Sequence, residues 1–178
     1  MIALGCDHAG LELKNAIKAH LDERGIEYKD FGTYTEASCD YAVYAEKTAR
    51  AVADGECRLG LLFCGTGMGI HIAASKCPHV HAGVVESVPA ALRAITGNGV
   101  NVLAMGAFYV APAMGCHIAD ASLNAELGSG YEWWKNFYEF HKLAIDELEA
   151  FDYEEYKKNG FKVNKLGDFP LKLEKKPE

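Results

Sequence analysis

The sequence predicts an α/β protein in which five parallel strands form an open, doubly wound sheet of the Rossmann-like or flavodoxin-like type, covered by helices in three layers. Two observations predict it. Short apolar runs alternate with segments of helical periodicity along the chain, and the run at residues 59–63 is continuously apolar, which is typical of a strand buried on both faces. Because crossovers between parallel strands are right-handed, this alternation favours one sheet with helices on both sides.

The predicted strands are the short apolar runs at residues 2–6, 28–31, 59–63, 80–85 and 100–105. Between the first two runs, Leu13, Ile17 and Leu21 recur every fourth residue and Gly25 follows, a pattern typical of an amphipathic helix and its end. The further helices of this domain are predicted at residues 41–53, near 89–95 and at about 111–127.

The composition changes after Gly130, so we place one α/β domain at residues 1–130. Residues 131–151 are rich in aromatic side chains and predict a long helix with a wide apolar face, formed by Trp134, Phe137, Tyr138, His141, Ile145 and Leu148. That face packs either on its own domain or as a dimerisation arm on a second subunit. Residues 152–178 are polar and lysine-rich and predict a loosely held tail.

Composition and charge exclude several classes of protein. The chain has 178 residues, of which 49% are hydrophobic and 24% charged, so it is not a disordered chain. Its formal net charge of -7 gives no support to a nucleic-acid-binding surface. No apolar run approaches the ~20 residues that cross a bilayer, and the N-terminus has no basic flank or cleavage signal. We therefore expect a cytoplasmic protein with neither a membrane nor a nucleic acid as partner.

The cysteine and histidine spacings predict no metal site. None of the six cysteines is paired with another at C-x-x-C spacing, which argues against zinc ribbons and thioredoxin-like chemistry. Five histidines, at positions 71, 79, 81, 117 and 141, do not cluster at metal-ligand spacing. Free thiols are expected, because disulfides are rare in the cytoplasm.

Ligands of open parallel sheets bind outside the carboxyl ends of the strands, so polar and glycine-rich residues near those ends are the candidates for chemistry. We expect four groups of residues there. They are Asp7 and His8 after the first strand, residues 64–69 (CGTGMG) after the third strand, Asp40, Tyr41 and Tyr44 around the start of the second helix, and residues 96–99 (TGNG) after the fourth helix.

The loop after the third strand is the strongest candidate. Gly65, Gly67 and Gly69 stand at alternate positions, where glycines let the backbone approach a ligand closely and expose successive N–H groups. A helix is predicted directly behind them, and the positive end of a helix dipole stabilises negative charge. Cys64 lies where the strand meets this loop, so we interpret it as a base or nucleophile beside an anion-binding site.

Other interpretations of these residues stay open. Ile70 breaks the dinucleotide-binding pattern G-x-G-x-x-G, and the loop lacks the Lys-Ser/Thr ending of a P-loop and the Arg of a cysteine phosphatase. Cys64 could be an ordinary buried strand residue whose glycines only make a tight turn. Asp7 could equally cap the helix that follows it.

Four motifs occur in an order that resembles the family of ribose-5-phosphate isomerase B and galactose-6-phosphate isomerase. They are GCDHAG at 5–10, DY at 40–41, CGTGMG at 64–69, and Asn98 followed by NVL at 101–103, and the likeness covers about residues 1–127. It implies an aldose–ketose isomerase with a Rossmann-like fold, acting on a sugar or sugar phosphate without cofactor or metal. It also implies a homodimer or homotetramer whose active sites lie between two subunits.

The resemblance also implies roles for single residues. Cys64 would be the base that moves a proton between C1 and C2 through a cis-enediolate, and Thr66 would help handle the ring oxygen. The remaining implied roles are sugar contacts by Asp7 and Tyr41, a phosphate contact by His8, and enediolate binding by Asn98 together with the N–H groups around Gly65, Gly67 and Gly69.

At three positions the chain departs from the family's ribose enzymes. Gly97 stands where they carry a His used for ring opening, and Tyr131 and Lys135 stand where they carry two Arg that hold the phosphate. Four functions therefore stay open. They are a sugar-phosphate isomerase with Lys135 as the clamp, an isomerase of a free sugar or uronate, a LacB-like subunit of a hetero-oligomeric galactose-6-phosphate isomerase, and a non-catalytic sugar sensor.

Overall fold

The structure, a computed structural model, describes residues 1–160 and 176. Within these residues one sheet contains five parallel strands, β1 (Ile2–Cys6), β2 (Tyr28–Asp30), β3 (Leu59–Cys64), β4 (Ala82–Val84) and β5 (Val102–Gly106). The helices are α1 (Leu11–Glu23), α2 (Tyr41–Ala53), α3 (Met68–Ala74), α4 (Val88–Asn98), α5 (Pro112–Leu123), α6 (Phe137–Glu149) and α7 (Tyr153–Lys158). The predicted α/β fold with a five-stranded parallel sheet is confirmed, although β4 is shorter than the predicted run 80–85.

The order of the strands creates a binding crevice at one place. Across the sheet the order is β2-β1-β3-β5-β4. From β1 the chain crosses to β2 on one side and then to β3 on the other, so the winding reverses between β1 and β3. Such a reversal leaves a crevice outside the carboxyl ends of the two strands. β5 lies between β3 and β4, which differs from the flavodoxin order, where the fourth strand occupies that place.

The sheet packs against its covering helices through two apolar cores, one on each face. Helices α1, α4 and α5 pack on one face of the sheet, and α2 and α3 pack on the other. Successive side chains of a strand point to opposite faces, so Leu61 and Phe63 enter the first core while Leu62 and Cys64 enter the second. The side chain of Cys64 therefore lies on the face covered by α2 and α3.

A buried lysine holds the chain segment that leads into this crevice. Lys14 of α1 is fully buried, and its Nζ donates to Oδ1 of Asp30 at 2.8 Å and to the carbonyl of Thr33 at 2.7 Å. Lys18 donates to Oδ2 of Asp30 at 2.6 Å. Burial alone would raise the pKa of Asp30, but the hydrogen bonds from both lysines outweigh it and leave that pKa lowered. The network fixes the end of β2 and the start of the loop at 33–40.

The C-terminal helix begins later than we predicted. Residues 131–136 form turns, and α6 starts only at Phe137 because Asn136 has a φ of 67°, a left-handed conformation through which a helix cannot continue. Phe137 and His141 are buried against their own chain, at 1% and 8% exposure. Leu148, by contrast, is 67% exposed. Part of the predicted apolar face thus packs on its own domain.

The predicted polar tail is described only in part. Asp152 caps the short helix α7 by accepting a hydrogen bond from the N–H of Glu155. Residues 161–175 and 177–178, which make up most of that tail, lie outside the described residues. Over residues 1–160 and 176, no helix combines the length and the apolar character needed to cross a membrane.

Candidate active site

Cys64 stands at the carboxyl end of β3 with its sulfur held by the loop that follows. Its side chain is 4% exposed, and Sγ accepts a hydrogen bond from the N–H of Gly67 at 3.0 Å. Gly67 has a φ of 77° and precedes α3 directly. This hydrogen bond fixes the position of Sγ beside the loop.

The glycines of the loop are required by close contacts. A Cβ on Gly67 would lie 3.0 Å from the backbone nitrogen of Gly106, and a Cβ on Gly65 would lie 2.7 Å from the ring of Phe108. Thr66 accepts a hydrogen bond from the N–H of Met68 at 3.3 Å through Oγ1. Among the described residues no protein acceptor takes the N–H groups of Gly65 and Thr66. The loop therefore presents two backbone donors next to Cys64.

Asp7 and His8 border the same site from β1. The N–H of Asp7 donates to the carbonyl of Phe63 at 3.1 Å, which places it beside the residue before Cys64. Asp7 caps the following helical turn by accepting from the N–H of Gly10 at 2.9 Å, so the capping alternative is confirmed. Nδ1 of His8 accepts from the N–H of Cys39 at 3.3 Å, a contact that assigns the ring proton of neutral His8 to Nε2.

Tyr41 closes the side of the site formed by α2 and α3. Its ring packs over Gly69, where a Cβ would lie only 2.8 Å from Cζ of the tyrosine. Asp40 fixes the start of α2 by accepting from the N–H of Ala42 at 2.8 Å. The side chain of Tyr41 is 42% exposed, so its hydroxyl can reach a ligand in front of the loop.

Asn98 and Lys135 are not among the residues that surround Cys64. Helix α4 starts near the carboxyl end of β4 and runs back, so Asn98, its last residue, lies by the amino end of β5, at the opposite edge of the sheet from Cys64. Lys135 lies in the turns between α5 and α6. The prediction that residues 96–99 share an edge with Cys64 is wrong, because a segment between a helix and the next strand reaches the amino ends.

Arg93 of α4, which the sequence patterns did not single out, lies close to Gly97. Its guanidinium lies over Gly97, where a Cβ would be 2.8 Å from Cζ of the arginine. Cζ is 5.0 Å from the ring centroids of both Tyr131 and Phe137, and Nη2 lies 3.5 Å from Nε2 of His141. The spacing of four between Arg93 and Gly97 could have shown their proximity, but the predicted helix ended at residue 95.

The described residues contain no grouping of three or more His, Cys, Asp or Glu side chains arranged to hold a metal ion. What they bring together at the ends of β1 and β3 is a thiol, two free backbone N–H donors, a histidine, a carboxylate and a phenol. Such a set can remove a proton from carbon and stabilise an oxyanion.

Comparison with known proteins agrees with this chemistry. A family model described as Ribose/Galactose Isomerase matches residues 2–136. The chain belongs to this family. Ribose-5-phosphate isomerase B of Escherichia coli is 45% identical over 151 residues, covering 85% of this chain and 95% of that relative. Galactose-6-phosphate isomerase subunit LacB of Clostridium acetobutylicum is 34% identical over 148 residues, covering 83% of each chain.

Solved structures of the family share the fold. The ribose-5-phosphate isomerase B of Clostridium thermocellum superposes with a TM-score of 0.75 at 36% identity, over 89% of this chain and 98% of that one. The chain is accordingly an enzyme, an aldose–ketose isomerase of the sugar-phosphate class. Membership of the family thus favours catalysis over the non-catalytic sensor.

Proposed function

We propose that this chain interconverts an aldose phosphate and its ketose isomer by proton transfer, with Cys64 as the base. The substrates in question are ribose-5-phosphate and ribulose-5-phosphate, or a hexose-6-phosphate pair such as galactose-6-phosphate and tagatose-6-phosphate. The observation that carries the proposal is the hydrogen bond of 3.0 Å between the N–H of Gly67 and Sγ of Cys64, at the crevice where the winding of the sheet reverses.

The reaction needs one base and donors for one oxyanion. In the open-chain aldose, the Cys64 thiolate takes the proton from C2, the electron pair forms the C1–C2 double bond, and O1 becomes negatively charged. The Cys64 thiol exchanges its proton with solvent and then protonates C1, while O2 becomes the carbonyl oxygen and its proton passes to O1, which gives the ketose. The N–H groups of Gly65 and Thr66 would stabilise the cis-enediolate. Thr66 Oγ1 would assist at the ring oxygen before the ring opens.

The other residues of this edge would position the sugar. The free oxygen of the Asp7 carboxylate and the hydroxyl of Tyr41 would contact sugar hydroxyls. His8 would donate from Nε2 to the phosphate, because its Nδ1 is occupied by the N–H of Cys39. Gly69 contributes by letting the Tyr41 ring approach the loop.

A second copy of the chain would complete the site. Asn98 lies at the opposite edge of the sheet, so within one chain it cannot reach Cys64. The segments around Cys64 expose several large apolar side chains, which a second copy would cover. They are Tyr34, Tyr41, Met68, Ile72, Phe108 and Tyr109, whose exposure ranges from 42% to 70%. We therefore infer a homodimer, or a homotetramer built from such dimers.

The C-terminal segment would belong to this assembly. Tyr138, Leu148 and Phe151 are exposed by 51%, 67% and 54% on the outer side of α6 and just beyond it. They are available to a second copy because Phe137 and His141 already fill the inner side. In this arrangement residues 131–151 act as the dimerisation arm, and Lys135 lies near the end of a substrate bound to the partner.

Assays of the purified chain against two matched panels test the substrate class. One panel holds pentose and hexose phosphates, and the other holds the corresponding free sugars and uronates. We expect ketose formation with phosphorylated sugars, abolished in Cys64→Ala. Activity on the second panel alone would show the free-sugar alternative to be correct. No activity on either panel, followed by activity once a separate family member is added, would show the hetero-oligomer alternative to be correct.

A further inference from the structure

The guanidinium of Arg93 is held in place yet has no carboxylate partner. Among the described residues no Asp or Glu forms an ion pair with it. Instead it rests against the rings of Tyr131 and Phe137, with Cζ 5.0 Å from each centroid. A fixed positive charge without an internal counter-ion is suited to bind an external anion.

One neighbour orients this group. Nδ1 of His141 lies 2.7 Å from the carbonyl of Phe137, and since a carbonyl only accepts, Nδ1 carries the ring proton. Nε2 of His141 is then the acceptor for Nη2 of Arg93, at 3.5 Å. This contact uses one of the five N–H donors of the guanidinium and leaves four for a ligand.

Gly97 makes this position possible. A Cβ at residue 97 would lie 2.8 Å from Cζ and 2.9 Å from Nε of Arg93, so any side chain there would displace the guanidinium. No positive φ or tight turn demands the glycine, because Gly97 lies inside α4. The guanidinium of Arg93 is therefore the group that a side chain at position 97 would displace.

Among the described residues, a cavity of about 550 Å³ lies beside the guanidinium, between α4, the end of α5 and the segment 129–133. Its lining includes Arg93, Thr96, Tyr131, Trp133 and Lys176. Arg93 is exposed, although its side chain is held on one side by the aromatic rings. A ligand anion can therefore reach the guanidinium from this side.

We propose that Arg93 recognises the terminal oxyanion of the substrate bound to the partner subunit. The inference rests on the proposed function, in which Asn98 contributes to the partner's site. The guanidinium of Arg93 lies over Gly97, the residue that precedes Asn98. A planar guanidinium binds a tetrahedral phosphate through two parallel hydrogen bonds, which an ammonium cannot do. Arg93 rather than Lys135 is thus the main phosphate-binding cation, and it discriminates phosphorylated from neutral sugars.

Kinetics of Arg93→Gln test this role, with Arg50→Gln as the matched control, because Arg50 is an exposed helical arginine whose ion pair among the described residues is with Glu46 of its own helix. We expect Arg93→Gln to raise KM for the sugar phosphate, and the inhibition constant of inorganic phosphate, by about 10- to 100-fold. The value of kcat should change far less, and Arg93→Lys should recover part of the affinity. Arg50→Gln should leave both constants unchanged.

Gly97→Ala gives a second, independent variant. Alanine in a helix interior is more favourable than glycine, so the variant should fold at least as well as the wild type while its Cβ displaces the guanidinium. We expect the same rise in KM as for Arg93→Gln. Wild-type turnover with constants that neither substitution changes would overturn the inference and leave the proposed function intact.

Two further outcomes separate the inference from the proposed function. No turnover of any sugar phosphate by the wild type would reject the proposed function, and the inference with it. A rise in KM confined to uronates would support Arg93 as the oxyanion-binding residue and reject phosphate as the substrate's anion.

Discussion

The sulfur of Cys64 and the backbone N–H of Gly67 lie 3.0 Å apart, three residues apart in the chain. The contact exists because Gly67 adopts a left-handed conformation, with a φ of 77°, and turns the loop back over the end of β3. The same turn starts α3, and among the described residues the N–H groups of Gly65 and Thr66 have no protein acceptor. The proposed base and the proposed oxyanion donors thus depend on one glycine.

Gly67→Ala should therefore damage activity beyond its cost in stability. The substitution forces alanine into a left-handed conformation at a cost of about 1–2 kcal/mol, and it also places Cβ 3.0 Å from the nitrogen of Gly106. Gly55→Ala is the matched control, since Gly55 has a φ of 73° and nothing within 4 Å of its Cβ position. We expect urea denaturation to show similar losses of stability, with kcat reduced at least ~100-fold only in Gly67→Ala. Equal kcat values in the two variants would contradict this account of the loop.

Mixing two inactive variants tests the shared site. Cys64→Ala removes a residue at one edge of the sheet and Asn98→Ala removes one at the other, so a mixed dimer regains one intact site. After the two proteins are mixed and allowed to exchange subunits, we expect about one quarter of the wild-type activity. Cys64→Ala mixed with Thr66→Ala, both at the same edge, should recover nothing. Equal activity in both mixtures would show that the sites are not shared.

Lys14→Met should unfold the protein far more readily than Lys18→Met. Lys14 is fully buried and holds both Asp30 and the carbonyl of Thr33, whereas the side chain of Lys18 is 27% exposed. Breaking a buried ion pair costs about 3–5 kcal/mol, and losing a partly exposed one costs about 1 kcal/mol. Urea denaturation at neutral pH measures both losses. Equal losses would contradict the anchoring role of Lys14.

The ion pair of Asp30 also predicts a response to acid. Its pKa is lowered in the folded protein, because the hydrogen bonds from Lys14 and Lys18 outweigh the effect of burial. The carboxylate thus stabilises the fold above its ordinary pKa, and this contribution is lost as the pH falls through the folded pKa. The stability difference between Lys14→Met and the wild type should therefore narrow toward acidic pH, and a constant difference in urea denaturation would argue against it.

The imidazole of His141 should make the stability of the protein depend on pH in a higher range than Asp30 does. Burial and the charge of Arg93 lower the pKa of this imidazole, despite the opposing effect of the Phe137 carbonyl. The neutral ring therefore stabilises the docking of α6 above the ordinary histidine pKa of about 6.5, and that stability declines as the pH falls below it. His141→Gln should lose less stability than the wild type between pH 7 and pH 5.5. His117→Gln, at an exposed position of α5, should follow the wild type; a parallel curve for His141→Gln would contradict the assignment.

Local sequence patterns were enough to predict the position of Cys64 and its glycine-rich loop at the end of β3. The apolar run of β3 and the alternating glycines after it predicted where Cys64 stands, because both signals lie within a few residues. Asp7, His8 and Tyr41 join it because the reversal of winding between β1 and β3 brings their segments together.

The arrangement around the end of α4 and the start of α6 could not be predicted from composition and periodicity. The sequence ended the fourth helix near residue 95, whereas α4 continues to Asn98, so the stacking of Arg93 over Gly97 was not foreseen. In the same way, the aromatic segment suggested a helix from residue 131, but the left-handed Asn136 delays its start to Phe137. Both errors concern helix ends, where local propensity is weak and tertiary contacts decide.

Deuterium incorporation tests the central claim, that Cys64 moves a proton between C2 and C1. The wild type and Cys64→Ala would be incubated with an aldose phosphate in heavy water, and the sugar analysed by NMR. Cys116→Ala serves as the control, since Cys116 lies on α5, on the other side of the sheet. We predict deuterium at C1 of the ketose from the wild type and from Cys116→Ala, and none from Cys64→Ala. Incorporation by Cys64→Ala at the wild-type rate would contradict the assignment of Cys64 as the base.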